Sequence, residues 1–215
     1  MLAAGKGERL GGIGKALLPH PNGYTLLESD INRLRDVADE IVVGIGPTVC
    51  LPPKLRNIPG VTFTKGGDTR LDTLQNALEA VSGEIVLVWD VARPWVRMEM
   101  ICELLEAAAE HGAAIPVLRF QTRESLGIEK NGFLESKIPR EGLFLSQTPQ
   151  AYRRDILRES LRRARTKEIT DISVHSLVKS AGYPVRLVDG AKDNRKLTFP
   201  DDLETFLSWD GQLEQ

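Results

Sequence analysis

Two nearly unbroken apolar runs, Ile41–Ile45 and Ile85–Trp89, set the narrowest limit on how this chain can fold. A strand that is apolar at almost every position, rather than every second one, needs cover on both faces. Such strands belong inside a largely parallel sheet with helices above and below it. Val61–Thr64, Ala113–Leu118 and Val185–Val188 are further apolar runs of strand length. Between the runs, Leu26–Val37, Arg70–Ala80, Glu99–Glu110, Ala151–Lys167 and Ile172–Ala181 carry apolar residues at helical spacing. Gly112 and Gly182 stand where two of these helices would end in a left-handed cap. The alternation predicts a doubly wound α/β sheet with right-handed crossovers. In such sheets ligands bind beyond the carboxyl ends of the strands, which makes the loops after strands the place to look for chemistry.

One stretch breaks the alternation. Residues 119–144 show no helical period, and Lys130-Asn131-Gly132 is a hairpin turn between Leu126–Glu129 and Phe133–Ser136. This reads as a β arm leaving the main sheet. A lone two-stranded arm is marginal in water, so packing on a second subunit is expected. The 215 residues otherwise suit one domain spanning 1–215, with the arm as its only excursion. A net charge of −2 gives no reason to expect nucleic acid or an anionic membrane as partner. No apolar run reaches membrane-spanning length, and Cys50 and Cys102, lacking any metal-ligand or CxxC spacing, are expected to be buried, reduced thiols. A cytoplasmic protein is expected.

The first fifteen residues hold five glycines and three basic residues, in Ala3-Ala4-Gly5-Lys6-Gly7-Glu8-Arg9-Leu10-Gly11-Gly12-Ile13-Gly14-Lys15. Glycines let backbone N–H groups close on phosphate oxygens, and Arg9 and Lys15 add positive charge. A Walker A loop is excluded, because Arg9 and Ala16 occupy the places of its first Gly and its Ser/Thr. The dinucleotide fingerprint fails at Leu10. A surface turn with solvated charges is the plain alternative.

Four other segments carry candidates. Gly66-Gly67-Asp68-Thr69-Arg70-Leu71-Asp72-Thr73 precedes a helix, where glycines bring backbone close to a ligand and Thr73 can bond a base or sugar edge; a capped turn is the alternative. Asp90, in Trp89-Asp90-Val91-Ala92-Arg93, emerges from the most apolar strand, fit to hold Mg²⁺ or a ribose hydroxyl, or else to pair with Arg93. Ser146-Gln147-Thr148-Pro149-Gln150, with Arg140 upstream, stands before a predicted helix, and Thr148 with Pro149 also reads simply as an N-cap with proline at N1. Thr170-Asp171 and Lys196, in Asp193-Asn194-Arg195-Lys196, complete the set. His20, His111 and His175 share no spacing that a metal or catalytic site would need. Trp95 and Trp209 are expected to pack, and the arginines of 153–165 to form a solvated helix face.

Taken in order, LAAGKGERLG…GK, GGDTRLDT, VWDVARPWV, PREG…TPQ, TD and DNRKLTFPDDL resemble the methylerythritol-phosphate cytidylyltransferases, over nearly the whole chain. The resemblance implies a Rossmann-like α/β fold and a homodimer clasped by the β arm. It also implies Mg²⁺-dependent transfer of CMP from CTP to 2-C-methyl-D-erythritol 4-phosphate, with release of pyrophosphate. By the same resemblance Arg9, Lys15 and Lys196 are catalytic. Ala3, Ala4, Gly5, Gly7, Gly67, Asp68, Thr73 and Asp90 surround the nucleotide, and Asp90 also meets the metal. Arg93, Thr122, Arg140, Thr148, Thr170, Asp171 and Lys196 surround the acceptor, Arg140 reaching across from the partner subunit.

The chain departs from the family pattern at several points. Gly14 stands for a proline before Lys15, Trp89 for a histidine before Asp90, and Arg195 for an apolar residue beside Lys196. Gln121-Thr122-Arg123 replaces an Asp-Thr pair on the arm, which leaves room for another polyol phosphate such as ribitol 5-phosphate as acceptor. A nucleotide-binding dimer without turnover is the reading from a different class, and a molybdopterin-type nucleotidyltransferase shares LAAG and GKALLP. The family's first strand is expected ahead of Ala3, where only Met1-Leu2 stands, so a truncated start or a weakly anchored loop is expected.

Overall fold

The computed structural model describes residues 1–5, 7, 11–12, 14–47, 49–166 and 173–208. Ten strands and seven helices are described within them. Three parallel strands, β1 (Leu2–Ala3), β2 (Ile41–Ile45) and β3 (Val61–Lys65), lie in the order β1-β2-β3. A second group comprises β4 (Ile85–Val88), β5 (Ala113–Arg119), β8 (Phe144–Ser146), β9 (Gln150–Arg153) and β10 (Arg186–Asp189), in the order β10-β5-β9-β4 with β8 on the far end of β5. β1 joins the two groups: Leu2 N–H donates to the Trp89 carbonyl at 2.7 Å, and Val91 N–H donates to the Leu2 carbonyl at 3.3 Å. Leu2 and Ala3 thus form a short strand between β2 and the end of β4, parallel to both.

Helices cover both faces, as the fully apolar strands require. α1 (Leu26–Leu34), α4 (Met98–His111) and α7 (Pro200–Leu207) pack a core that includes Leu26, Ile31, Trp89, Ile101, Leu104 and Phe206. α3 (Arg70–Glu79), α5 (Arg154–Thr166) and α6 (Val174–Ser180) pack the other, with Leu74, Val88, Ile115, Tyr152, Leu157 and Val178. Each such side chain withdrawn from water contributes about 1.5–3 kcal/mol. Short α2 (Pro53–Arg56) links β2 to β3. α1 and α3 begin on reciprocal caps, Thr25 with Glu28 and Thr69 with Asp72. Gly112 ends α4 at φ +87°, and Gly182 follows α6 at φ +94°, as their spacing predicted. Trp95 packs edge-on against Phe206.

Three expectations are corrected. Residues 151–153, expected to open the helix Ala151–Lys167, belong to β9, because β4 and β5 both pair with that backbone and Ala151 and Tyr152 are fully buried between them. Thr148-Pro149 therefore leads into a strand and is no helix cap; the peptide bond joining the two is cis. Cys50 and Cys102 are exposed rather than buried. Cys102 lies opposite the α4 stripe formed by Met100, Ile101, Leu104 and Ala108, and Cys50 sits in the loop after β2.

The hairpin of residues 119–144 is present, as β6 (Leu126–Lys130) and β7 (Phe133–Ile138) turning at Asn131 (φ +53°) and Gly132 (φ +83°). It forms a separate two-stranded sheet, with Phe133 and Leu134 exposed. No described helix is long and apolar enough to cross a membrane.

Candidate active site

A cavity of about 540 Å³ opens where the carboxyl end of β4, the start of α3, the β8–β9 loop, the start of α6 and the segment after β10 converge. Asp90 occupies its floor. Strand β4 carries the chain into this position, and the neighbouring Trp89 fixes it there: Trp89 is fully buried, and its indole N–H donates to Asp30 Oδ2 at 3.1 Å. Asp90 Oδ1 accepts from Arg70 Nε and Nη2 at 3.2 and 2.9 Å, and Oδ2 accepts from Lys196 Nζ at 2.7 Å. Burial pushes the Asp90 carboxyl up, but the Arg70 guanidinium and the Lys196 ammonium outweigh it and hold the group well below the usual carboxylate range. The Asp90–Arg93 pair considered from the sequence does not form. Arg93 Nη1 instead donates to the Asn194 carbonyl at 2.6 Å.

Three glycine-bearing loops meet beside this floor. A Cβ on Gly46 would lie 3.0 Å from the Ala4 carbonyl oxygen, and one on Gly66 would lie 2.6 Å from the Ala4 Cβ. One on Gly67 would lie 2.2 Å from the Asp72 Cβ. Only glycine lets the ends of β1, β2 and β3 approach so closely. Thr73 is buried, and its Oγ1 accepts from Gly67 N–H at 3.0 Å while donating to the Thr69 carbonyl at 3.1 Å. Its hydroxyl therefore braces the loop from within. Ala3 is buried, Ala4 half-buried, and Gly5 and Asp68 exposed at the surface of the same corner. Gly7 takes φ +67° and its carbonyl accepts from Gly12 N–H at 3.0 Å. Lys15 starts a short 3₁₀ turn, and its Nζ donates to the Leu197 carbonyl at 2.5 Å, next to Lys196. The opening loop and the segment after β10 thus share one corner.

Thr148, Arg93 and Lys196 line the cavity with Asp90. Thr122 and Arg140 do not. They meet at the base of the arm, where Arg140 Nη1 donates to the Thr122 carbonyl at 2.5 Å beside a second cavity of about 560 Å³. Arg9, Thr170 and Asp171 lie outside the described residues. Arg70, Gln147, Gln150 and His175 also line the Asp90 cavity. The first three lie in segments that carry candidates, without a role read for these side chains, and His175 is one of the histidines set aside for want of a shared spacing. Arg70 was readable only as the first residue of a helix, and nothing local marks His175. The His175 ring lies 3.1 Å from Ser173 Oγ and 3.4 Å from Gln150 Nε2, and burial followed by the charge of Arg70 lowers its pKa.

Arginine and lysine side chains surround one carboxylate beyond the carboxyl end of β4, in a sheet that is mixed rather than mostly parallel, since β9 pairs antiparallel with β4 and β5. Such a cluster suits a polyanion whose charge must be held without covalent help. The comparisons name the family: the model for IspD, 2-C-methyl-D-erythritol 4-phosphate cytidylyltransferase, matches residues 1–206. The chain is 40% identical over 201 residues to the Thermus thermophilus enzyme of that name, covering 94% of this chain and 91% of that protein. The Geobacillus kaustophilus enzyme of the same name is 34% identical over 212 residues, covering 94% and 92%. The crystal structure of the T. thermophilus enzyme superposes with a TM-score of 0.80 at 37% identity, covering 95% of this chain and 94% of the other. The chain belongs to the 2-C-methyl-D-erythritol 4-phosphate cytidylyltransferase family.

Proposed function

We propose that this protein transfers the cytidylyl group of CTP to 2-C-methyl-D-erythritol 4-phosphate, a step of non-mevalonate isoprenoid synthesis in the cytoplasm. The observation that carries the reading is the convergence of Arg70, Asp90 and Lys196, with Lys15 bonded one residue away, in a family member matched from residue 1 to 206. An acceptor phosphate oxygen attacks the α-phosphorus of CTP, the bond to the β-phosphate oxygen breaks, and pyrophosphate leaves. The nucleophile is already ionised, so no general base is required. What the protein must supply is positioning and positive charge.

In this reading Arg9, Lys15 and Lys196 neutralise the charge that builds on the α-phosphate. Ala3, Ala4, Gly5, Gly7, Gly67 and Asp68 shape the nucleotide corner, and Thr73 holds that corner in shape. Arg93, Thr148, Thr170 and Asp171 bind the acceptor phosphate or polyol. Mg²⁺ fits the donor chemistry: Asp90 is a hard carboxylate ligand, and this ion is commonly held by one or two carboxylates together with substrate phosphates. No cluster of three or more His, Cys, Asp or Glu is present among the described residues, so triphosphate oxygens would complete the ligand set. The ion would add charge neutralisation at the phosphates.

The protein acts as a homodimer of this one domain. Arg140 and Thr122 sit together at the arm's base, away from their own chain's Asp90 cavity, as residues serving a partner's acceptor site would. Exposed Phe133 and Leu134 give the arm an apolar surface to bury. The test is product identification: protein, Mg²⁺, CTP and methylerythritol phosphate should give CDP-methylerythritol by ³¹P NMR, with equimolar pyrophosphate. Folded protein yielding neither would overturn the assignment.

A further inference from the structure

Lys196 sits on a segment, residues 190–197, that has no helix or strand of its own. At its ends, Gly190 N–H donates to the Val117 carbonyl at 2.9 Å and Leu197 N–H donates to the Ala92 carbonyl at 2.8 Å. Between those anchors Arg93 Nη1 donates to the Asn194 carbonyl at 2.6 Å and Arg97 pairs with Asp193, but the largest set of contacts comes from one buried side chain of the β8–β9 loop. Gln147 Nε2 donates to the carbonyls of Ala191 and Asn194, at 2.8 and 3.1 Å. Its Oε1 accepts from Ala191 N–H at 3.1 Å and from Asn194 Nδ2 at 3.4 Å. Both donors and both lone pairs of the amide are thereby engaged. Gln147 is itself fixed to β5, its N–H donating to the Pro116 carbonyl at 2.9 Å. Asn194, fully buried, extends the clasp by donating from Nδ2 to the Thr148 carbonyl at 3.0 Å. The fit is tight: a Cβ on Gly190 would lie 2.5 Å from Gln147 Oε1.

We infer that Gln147 is a positioning residue for Lys196: its amide templates the segment that carries the Lys196 ammonium to the transfer site. The inference rests on the cytidylyl-transfer reading above. Gln147 acts through the loop and not on the substrate, because its polar atoms are already committed to Ala191 and Asn194. Without the clasp, the segment keeps its end anchors and the Arg93 and Arg97 contacts, but loses the amide that sets Ala191 and the Asn194 side chain relative to β5. A misplacement of about 1 Å is enough to cost on the order of 10²-fold in rate.

The experiment is a double-mutant cycle between Gln147→Leu and Lys196→Ala, read by single-turnover rates and by CTP binding. In the otherwise native protein Gln147→Leu should lower the transfer rate about tenfold to a hundredfold and leave CTP binding nearly unchanged. In the Lys196→Ala background the same substitution should change the residual rate by less than about threefold. Should Gln147→Leu fail to fold, Gln147→Glu, which keeps the shape and loses both donors, is judged by the same comparison. Wild-type turnover with equal losses in the two backgrounds would overturn this inference alone. Wild-type protein without turnover would overturn the transfer reading and this inference with it.

Discussion

Asp90 Oδ2 accepts a hydrogen bond from Lys196 Nζ at 2.7 Å, joining residues 106 positions apart at one point on the sheet's carboxyl edge. The carboxylate's other oxygen is taken by Arg70. One anion therefore aims two cations into the cavity, and incoming phosphate competes with Asp90 for both. Asp90→Asn should leave those cations facing each other without a counter-charge. Each keeps over a third of its side chain exposed, so solvent screens part of the effect, and the loss should be about 1–3 kcal/mol at neutral pH. Urea unfolding measures it.

The same pairing sets an acid limit. The folded pKa of Asp90 is depressed, so its contribution to stability is complete above its unfolded value of about 4 and is lost as pH falls toward the folded value. The stability gap between wild-type and Asp90→Asn protein should therefore be flat from pH 7 to about 5 and narrow below about 4. A gap that stayed constant at pH 2.5 would contradict the pairing.

Lys15→Met should lower kcat by about 10²- to 10³-fold, the usual effect of deleting one charge-stabilising donor. Far-UV circular dichroism should be unchanged, since Lys15 heads only a three-residue turn. Activity near wild type would remove Lys15 from the transition-state site.

Gly67→Ala should destabilise the fold by about 1–3 kcal/mol, because the new methyl group meets the backbone and Cβ of Asp72 and the start of α3 must shift. CTP binding, followed by calorimetry, should weaken at the same time. Wild-type stability in this variant would show that the turn has more room than its geometry gives.

Phe133→Asp should convert a dimer to a monomer in sedimentation velocity and raise the KM for the acceptor, leaving the KM for CTP nearly unchanged. A monomeric wild-type protein, or a variant still dimeric, would contradict the role given to the arm.

Strands buried on both faces were the easiest part to read. Ile41–Ile45 is a strand over the same residues that its apolar run marks, and the Asn131-Gly132 turn was legible because so few sequences favour positive φ at two successive residues. β9 was not legible, since Gln150–Arg153 has no strand signature and is extended only because β4 and β5 claim its backbone. β1 is two residues long, below what any periodicity can show. In the site, Asp90 and Lys196 were found by their positions after strands, but the bonds between Asp90 and Arg70, and between Gln147 and the 190–197 segment, come from elements far apart in sequence. Local pattern carries no record of such meetings. The exposed Cys102 makes the same point from the other side, because burial of a cysteine on a helix depends on which face it falls on.

The most direct measurement compares wild-type and Lys196→Ala protein in one assay of pyrophosphate release from CTP with methylerythritol phosphate and Mg²⁺. The account predicts steady turnover by the wild type and a loss of at least about 10²-fold in the variant, with its thermal midpoint held within a few degrees. No turnover by folded wild-type protein, or equal rates for the two, would contradict it.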